Sequence, residues 1–370
     1  MPPKRLPKRR HKKMNALPEL IDRIRAAAAA KQPLQIRAGG TKDFYGNPSR
    51  GDVLDPRGYG GHGDGIVAYE PTELAVTVRC GMPLAQLEAE LDRKGQMLAF
   101  EPPHFGAAAT IGGCVAAGLS GPRRATAGAV RDYVLGAKLV DGRGNLLSFG
   151  GTVMKNVAGY DVARALAGSL GTLGLIAEVS LKVLPKPIAE ATLRFETDEV
   201  TALRRMNEWA GQPLPISATA WHGGELHVRL SGAHAAIRSA RERMGGERVD
   251  DTRAASFWRG IREHTEPFFV FNAPLWRLSV PSTAEPLALG GEQLIEWGGA
   301  LRWLRSTAPA SAIRARAAAL GGHATLFRGG DRLGGVFHPL EPAIAKVHQR
   351  LKAEFDPAGI FNPGRMYAHF

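Results

Sequence analysis

The chain has 370 residues, 44% hydrophobic and 22% charged, enough for about two packed domains, and no run of eighteen apolar residues offers a membrane-spanning helix. The net charge of +13 points at first to nucleic acid or an anionic membrane, yet Lys4, Arg5, Lys8, Arg9, Arg10, Lys12 and Lys13 carry seven of those charges and leave +6 for the rest. With only Cys80 and Cys114, a disulfide framework is excluded, as is an iron–sulfur cluster or a cysteine zinc site held by this chain's thiols alone.

Residues 1–13 hold three prolines, no acid and no patterning, so a disordered basic tail is expected there. Met14 follows at once, and the tail is either a functional arm or a stretch upstream of the native start. It lacks the apolar segment of a secretory signal. With two lone thiols, this fits a reducing cytoplasmic setting.

Beyond the tail, Leu34 and Ile36 end in Arg37-Ala38-Gly39-Gly40-Thr41-Lys42, where paired glycines after an apolar strand can turn several N–H groups toward one anion. Ile66 to Tyr69 and Leu74 to Cys80 read as strands. Leu84, Leu87 and Leu91 then fall at helical spacing before Gly95. In the stretch 106–118, Gly106, Gly112, Gly113 and Gly118 alternate with alanines. Such a side-chain-poor surface contributes little core and invites close approach of a ligand. Val134 to Val140 and Leu146 to Phe149 flank Asp141-Gly142-Arg143-Gly144 as a hairpin. The third loop, Gly168-Ser169-Leu170-Gly171-Thr172-Leu173-Gly174, precedes an alternating strand at 175–183 that reads as half-buried. Its G-x-x-G-x-x-G spacing ahead of a strand disfavours a Rossmann dinucleotide site.

Pro185 and Pro187 mark a boundary. Beyond them, Ala191–Phe195, Glu225–Leu230, Leu275–Val280, Glu292–Trp297 and Ala300–Leu304 are strand candidates, and helices are expected near Thr201–Ala210, Ala233–Met244 and Ser311–Leu320. An antiparallel sheet with helices on it follows. All six tryptophans lie in this region and are expected in its core. Near the end, Ile344, Val347, Leu351 and Phe355 share one helical face, which suggests a packed helix before the rigid turn Asp356-Pro357-Ala358-Gly359.

Taken in order, the loops at 37–43, 106–118 and 168–174, with Met154-Lys155-Asn156-Val157-Ala158-Gly159-Tyr160-Asp161 and the closing Phe355-Asp356-Pro357-Ala358-Gly359-Ile360-Phe361-Asn362-Pro363-Gly364, resemble the vanillyl-alcohol oxidase (PCMH-type) flavoproteins. Within them, the chain is most similar to the FAD-binding subunits of bacterial glycolate oxidase. The resemblance implies an α+β fold, a two-subdomain FAD-binding region followed by an antiparallel-sheet cap with helices. Its divisions would be a tail at 1–13, an FAD-binding domain at 14–187, a cap at 188–340 and a C-terminal helix and turn at 341–370 returning to the flavin. Carried over by position, Gly39, Gly40, Thr41 and Lys42 would form the pyrophosphate loop, with Pro71 near the adenine. Gly112, Gly113, Cys114 and Ala117 would line pyrophosphate and flavin, Gly171, Gly174 and Ile176 would offer backbone contacts, and Asn362 would approach the isoalloxazine. Family members with covalent flavin often carry histidine after the first Gly-Gly. Thr41 stands there, so non-covalent FAD is expected, and no metal.

The implied function is that of an FAD-binding subunit of a glycolate (2-hydroxy acid) dehydrogenase. Its partners would be a catalytic flavoprotein subunit and an iron–sulfur subunit, with no nucleic acid. Contact with the inner face of the cytoplasmic membrane would be peripheral, through the complex. A self-sufficient FAD-dependent hydroxy-acid dehydrogenase and a structural subunit with a vestigial flavin site are the alternatives. Substrate oxidation needs a base and a cation for the carboxylate, and the H-x-G-D-G-N stretch of the family's dehydrogenases is missing after the cap. His62-Gly63-Asp64-Gly65 resembles it but reads as a surface turn. His323, Arg277 and Arg328 remain as candidates for base and carboxylate clamps.

Overall fold

A computed structural model describes residues 16–61, 63–151, 161–270 and 272–370. The basic tail, His62 and the segment 154–160 lie outside the described residues.

Two antiparallel sheets form the frame. The first has five strands in the order Ile66–Glu70, Ala75–Arg79, Leu175–Lys182, Val134–Val140, Leu146–Gly150. Its hairpin at 134–150 closes through Asp141, whose Oδ1 accepts from the N–H groups of Arg143 and Asn145. Helix Leu84–Asp92 packs beneath it on the fully buried Leu84, Leu87 and Leu91, the apolar spacing that selects a helix and fixes which face it buries.

One expectation is corrected here. Leu175–Lys182 is the central strand and is buried on both faces, because neighbours cover it on either side. Its alternating polar residues are therefore inside. Glu178 is satisfied by the Tyr59 hydroxyl at 2.7 Å and Lys138 Nζ at 2.8 Å, and Ser180 Oγ meets Thr77 Oγ1 at 2.8 Å, as burial of polar groups requires.

The second sheet has eight strands in the order Glu247–Val249, Ala189–Glu196, Glu225–Gly232, Ile216–His222, Glu292–Glu296, Leu301–Arg305, Leu275–Ser279, His323–Arg328. Helices Glu199–Ala210 and His234–Met244 cover one part of its outer face through Leu203, Met206, Ile237 and Ala240. Helix Ala310–Ala319 covers another part through Ile313 and Ala317. The strands at 216–222, 247–249 and 323–328 and the helix Asp251–Glu263 go beyond the expected elements. Four tryptophans, Trp258, Trp276, Trp297 and Trp303, are buried, while Trp209 and Trp221 are only partly so.

A charge network joins the loop residues Glu101 and Arg123 to the eight-stranded sheet. Arg123 donates to Glu190 at 2.6 Å and lies 3.4 Å from Glu101, and Arg229 reaches Glu101 at 2.9 Å. These cations hold the Glu101 carboxyl below its usual range against the opposing effect of its burial.

The C-terminal segment behaves differently from expectation in its helix and as expected in its turn. In helix Pro342–Phe355 only Phe355 is buried, and Ile344, Val347 and Leu351 are exposed. The shared apolar face is real but looks outward. The turn after it is anchored by Asp356, whose carboxylate accepts from Ile360 N, Phe361 N and Lys352 Nζ. This sets the chain alongside strand Leu34–Ile36, with Leu34 N donating to Ile360 O at 2.7 Å and Asn362 N to Leu34 O at 2.9 Å.

Candidate functional site

Between the first sheet and the closing segment lies a cleft enclosing about 860 Å³ and open to solvent. Strand Leu34–Ile36 ends at its floor, and the turn that follows needs a left-handed residue, supplied by Gly40 at φ +68°. Among the described residues, the backbone N–H groups of Gly39, Gly40, Thr41 and Lys42 donate to no protein acceptor, and all four residues line the cleft. Four consecutive uncommitted donors beside an opening form an anion nest. Lys42 completes it: its Nζ donates to His104 O at 3.2 Å, and burial lowers its pKa while Cys114 and Glu263 oppose that effect.

The second wall is helix Ile111–Ala117, capped by Thr110, whose Oγ1 accepts from Gly113 N at 3.2 Å. Gly112 packs so closely on Cys80 that a side chain there would overlap it. At Gly113 a side chain would meet only Thr110 Oγ1 within 4 Å. The rest of its surroundings is the cleft it lines. One glycine thus admits the neighbouring strand and the next leaves room for a ligand.

The third wall is the loop 168–174. Leu170 N donates to Ala116 O and Gly168 N to Val115 O, which ties the loop to the helix. Asn362 then ties it to the first strand: its Oδ1 accepts from Ile36 N at 2.7 Å and its Nδ2 donates to Leu170 O at 2.6 Å. Arg365 continues the bracket by donating to the carbonyls of Lys42, Asp43 and Asn47.

Gly39, Gly40, Thr41, Lys42, Gly112, Gly113, Ala117, Gly171, Gly174, Ile176 and Asn362 therefore converge on one cleft. Two residues do not. Pro71 starts the short helix Pro71–Glu73 in the 66–79 hairpin, its carbonyl accepting from Gln96 Nε2, and it is not part of the cleft lining. Cys114 points into the core of the first sheet, where burial pushes its thiol up to about 12. The side chain of Asn362 is committed to the two backbone groups it bridges. Cys80, Thr110, Leu170 and Arg365 also line the cleft; Thr110 and Leu170 sit within the loops at 106–118 and 168–174, while no local motif marks Cys80 or Arg365.

The three residues singled out for substrate chemistry part company. Arg277 lines a second, smaller cavity, with room for little more than a water molecule, between the segments 103–105 and 119–122 and the inner face of the eight-stranded sheet. Arg328 instead lies over Phe44, 4.4 Å from its ring centroid, and 5.6 Å from that of Phe105. His323 is exposed at the end of its strand opposite Ser279. In their place the second cavity gathers His264 and Glu296, neither of which stands out in the sequence. His264 caps helix Asp251–Glu263 in a left-handed conformation and stacks on Phe269, with ring centroids 4.0 Å apart. Burial drives its pKa well down, so the ring is neutral. Glu296 accepts from Trp303 Nε1 at 2.7 Å, and burial pushes its carboxyl up to about 8. Phe105 touches both regions, its ring centroid 5.7 Å from Lys42 Nζ and 5.0 Å from the His264 ring.

With that geometry in view, the comparisons with known proteins are informative. The sequence pattern of the FAD binding domain family matches residues 15–164. Glycolate oxidase subunit GlcE of Escherichia coli (strain K12) is 49% identical over 94% of this chain and 97% of its own length. Glycolate oxidase subunit GlcD of Bacillus subtilis (strain 168) is 35% identical over 36% of this chain and 28% of its own length. Among solved structures, an alkyldihydroxyacetonephosphate synthase superposes with a TM-score of 0.65 at 15% identity, covering 94% of this chain and 75% of the other, which supports the shared fold.

Proposed function

The chain belongs to the family of glycolate oxidase subunit GlcE and carries an FAD-binding domain, and from that premise we propose that it is the FAD-binding subunit of a multi-subunit glycolate dehydrogenase. The observation that carries this reading is the row of four uncommitted N–H groups at 39–42 in the cleft, with Lys42 beside them. Such a row suits a pyrophosphate. The wall at Gly113 leaves space for a flat ring system, so the residues present fit FAD. FAD held there would supply the hydride acceptor for oxidation of a carbon bearing a hydroxyl. The chain's own residues bind and orient it: the nest and Lys42 hold the phosphates, the helix and the loop 168–174 wall the cleft, and Asn362 keeps the walls in register.

Thr41 offers no imidazole to a flavin carbon, which supports non-covalent binding. The division into an FAD-binding domain at 14–187, a cap at 188–340 and a closing segment at 341–370 belongs to the same proposal. Cys80 and Cys114 are both buried and too few to hold a cluster, so electrons would leave through an iron–sulfur partner, alongside a catalytic flavoprotein subunit. Among the described residues no helix is long and apolar enough to cross a membrane, in keeping with peripheral contact through partners.

The test is purification of the full chain alone and of the native complex, with flavin counted in each. One dissociable FAD per copy of this chain is expected. A chain that retains no flavin and gains no thermal stability from added FAD would sink the reading. A second reading, turnover by this subunit alone, is favoured by the cavity in which Arg277, His264 and Glu296 meet. Bleaching of the isolated, FAD-loaded chain by glycolate under anaerobic conditions would establish it.

A further inference from the structure

Helix Asp251–Glu263 ends on an acid, where a carboxylate opposes the helix dipole and contributes nothing to helix stability. The partners of Glu263 lie far off in sequence. Its Oε2 accepts from Phe105 N at 2.9 Å and from His104 N at 3.1 Å, while its Oε1 accepts from the neighbouring Arg262 Nε at 2.8 Å. Among the described residues, neither backbone N–H has another protein acceptor.

The turn held in this way is strained and borders the cofactor nest. Phe105 is left-handed at φ +53°, a conformation that disfavours a bulky aromatic residue unless its surroundings hold it. His104 is gripped on two further sides: its ring Nε2 lies 2.9 Å from Glu88 on helix Leu84–Asp92, and its carbonyl accepts from Lys42 Nζ at 3.2 Å. Lys42 Nζ also lies 5.7 Å from the Phe105 ring centroid, so the lysine rests on both residues that Glu263 grips. Burial lowers the Lys42 pKa, and the Glu263 charge is among the effects that counter it.

We infer that Glu263 is a positioning residue of the FAD site, holding residues 104 and 105 in place so that the His104 carbonyl fixes Lys42 Nζ beside the phosphate nest. The inference rests on the FAD reading of the cleft. A free lysine side chain has several rotatable bonds, and ordering it on binding costs affinity. Docked in advance on His104 and Phe105, Lys42 avoids that cost. No residue of helix Asp251–Glu263 lines the cleft, yet through this contact the seating of that helix controls how well the cleft holds its cofactor.

The experiment is titration of the deflavinated full chain with FAD, followed by quenching of flavin fluorescence and by the visible spectrum, with thermal unfolding recorded on each apo sample. Glu263→Ala should weaken FAD by about tenfold or more. Glu263→Gln keeps a side-chain oxygen for both N–H groups and should bring affinity back to within about threefold of wild type. In a Lys42→Met background, Glu263→Ala should shift affinity by less than about twofold, because a residue acting through Lys42 is silent without it. Trp258→Phe loses the bond from Trp258 Nε1 to Thr192 Oγ1 on the same helix and should lower thermal stability without weakening FAD. Glu263→Met, which fills the space with no acceptor, gives the same reading if the alanine variant is unstable. Wild-type affinity in folded Glu263→Ala, a glutamine variant as weak as the alanine one, full additivity with Lys42→Met, or equal weakening by Trp258→Phe overturns the inference and leaves the cofactor reading standing. A wild-type chain that binds no FAD overturns both.

Discussion

Glu296→Gln offers a sharp check on the electrostatics beneath the eight-stranded sheet. The substitution keeps the shape and the acceptor for Trp303 Nε1 while removing ionisation. Burial dominates the environment of Glu296, with Glu101 adding to the rise and Arg277 and Arg229 opposing it, and the folded-state value is about 8 against an ordinary 4.5. Between those values the unfolded chain releases a proton that the folded chain retains, so folded wild type loses stability as pH rises. The slope is about 1.4 kcal/mol per pH unit. Gln carries no such term. The stability of Glu296→Gln relative to wild type should therefore climb from pH 5 to pH 8, by roughly 4 kcal/mol at the upper bound of full desolvation, and level off above. Urea unfolding at fixed ionic strength, read at pH 5, 6.5 and 8, measures it. A difference that stays flat across that range, or shrinks, would mean that Glu296 is ionised in the folded protein and serves Arg277 as a counter-ion.

Gly113→Leu should abolish FAD retention while circular dichroism and oligomeric state remain unchanged, because apart from Thr110 Oγ1 a side chain there meets open space; retained flavin would remove helix Ile111–Ala117 from the cofactor surface. Asn362→Ala leaves Ile36 N and Leu170 O unpaired and should cost about 2–4 kcal/mol in urea unfolding, together with a weaker FAD affinity in titration. Arg123→Ala removes a cation from the largely buried Glu101, which keeps Arg229, and from the exposed Glu190, and should destabilise by about 1–3 kcal/mol, a loss that chemical denaturation would detect. Exposed Ile344, Val347 and Leu351 predict the opposite pattern: Val347→Ser should change stability by less than about 0.5 kcal/mol.

Local chemistry made much of the architecture readable. The hairpin at 134–150, the helix Leu84–Asp92 and the strands at 189–196, 225–232 and 275–279 each carry their own period or turn residues, and periodicity is a property of neighbours in sequence. Misreadings arose where the answer depended on distant partners. Strand 175–182 alternates as though one face met water, yet two neighbouring strands and the packed layers bury both. The face of Ile344, Val347 and Leu351 has helical spacing whether or not anything covers it.

The site divides in the same way. Glycine placement by itself determined that three loops present bare backbone, since a missing side chain needs no tertiary context to be recognised, and the closing Asp356-Pro357-Ala358-Gly359 turn was equally local. Only the tertiary structure decided that Asn362 is a bracket between Ile36 and Leu170, that Cys114 and Pro71 stand outside the cleft, and that Arg277, His264 and Glu296 line one cavity whose lining does not include His323 or Arg328. The physical reason is that burial and the pairing of charges are sums over residues far apart in the chain. His264 and Glu296 acquire their neutral forms from walls contributed by segments more than 100 residues away, and no window of sequence contains that information.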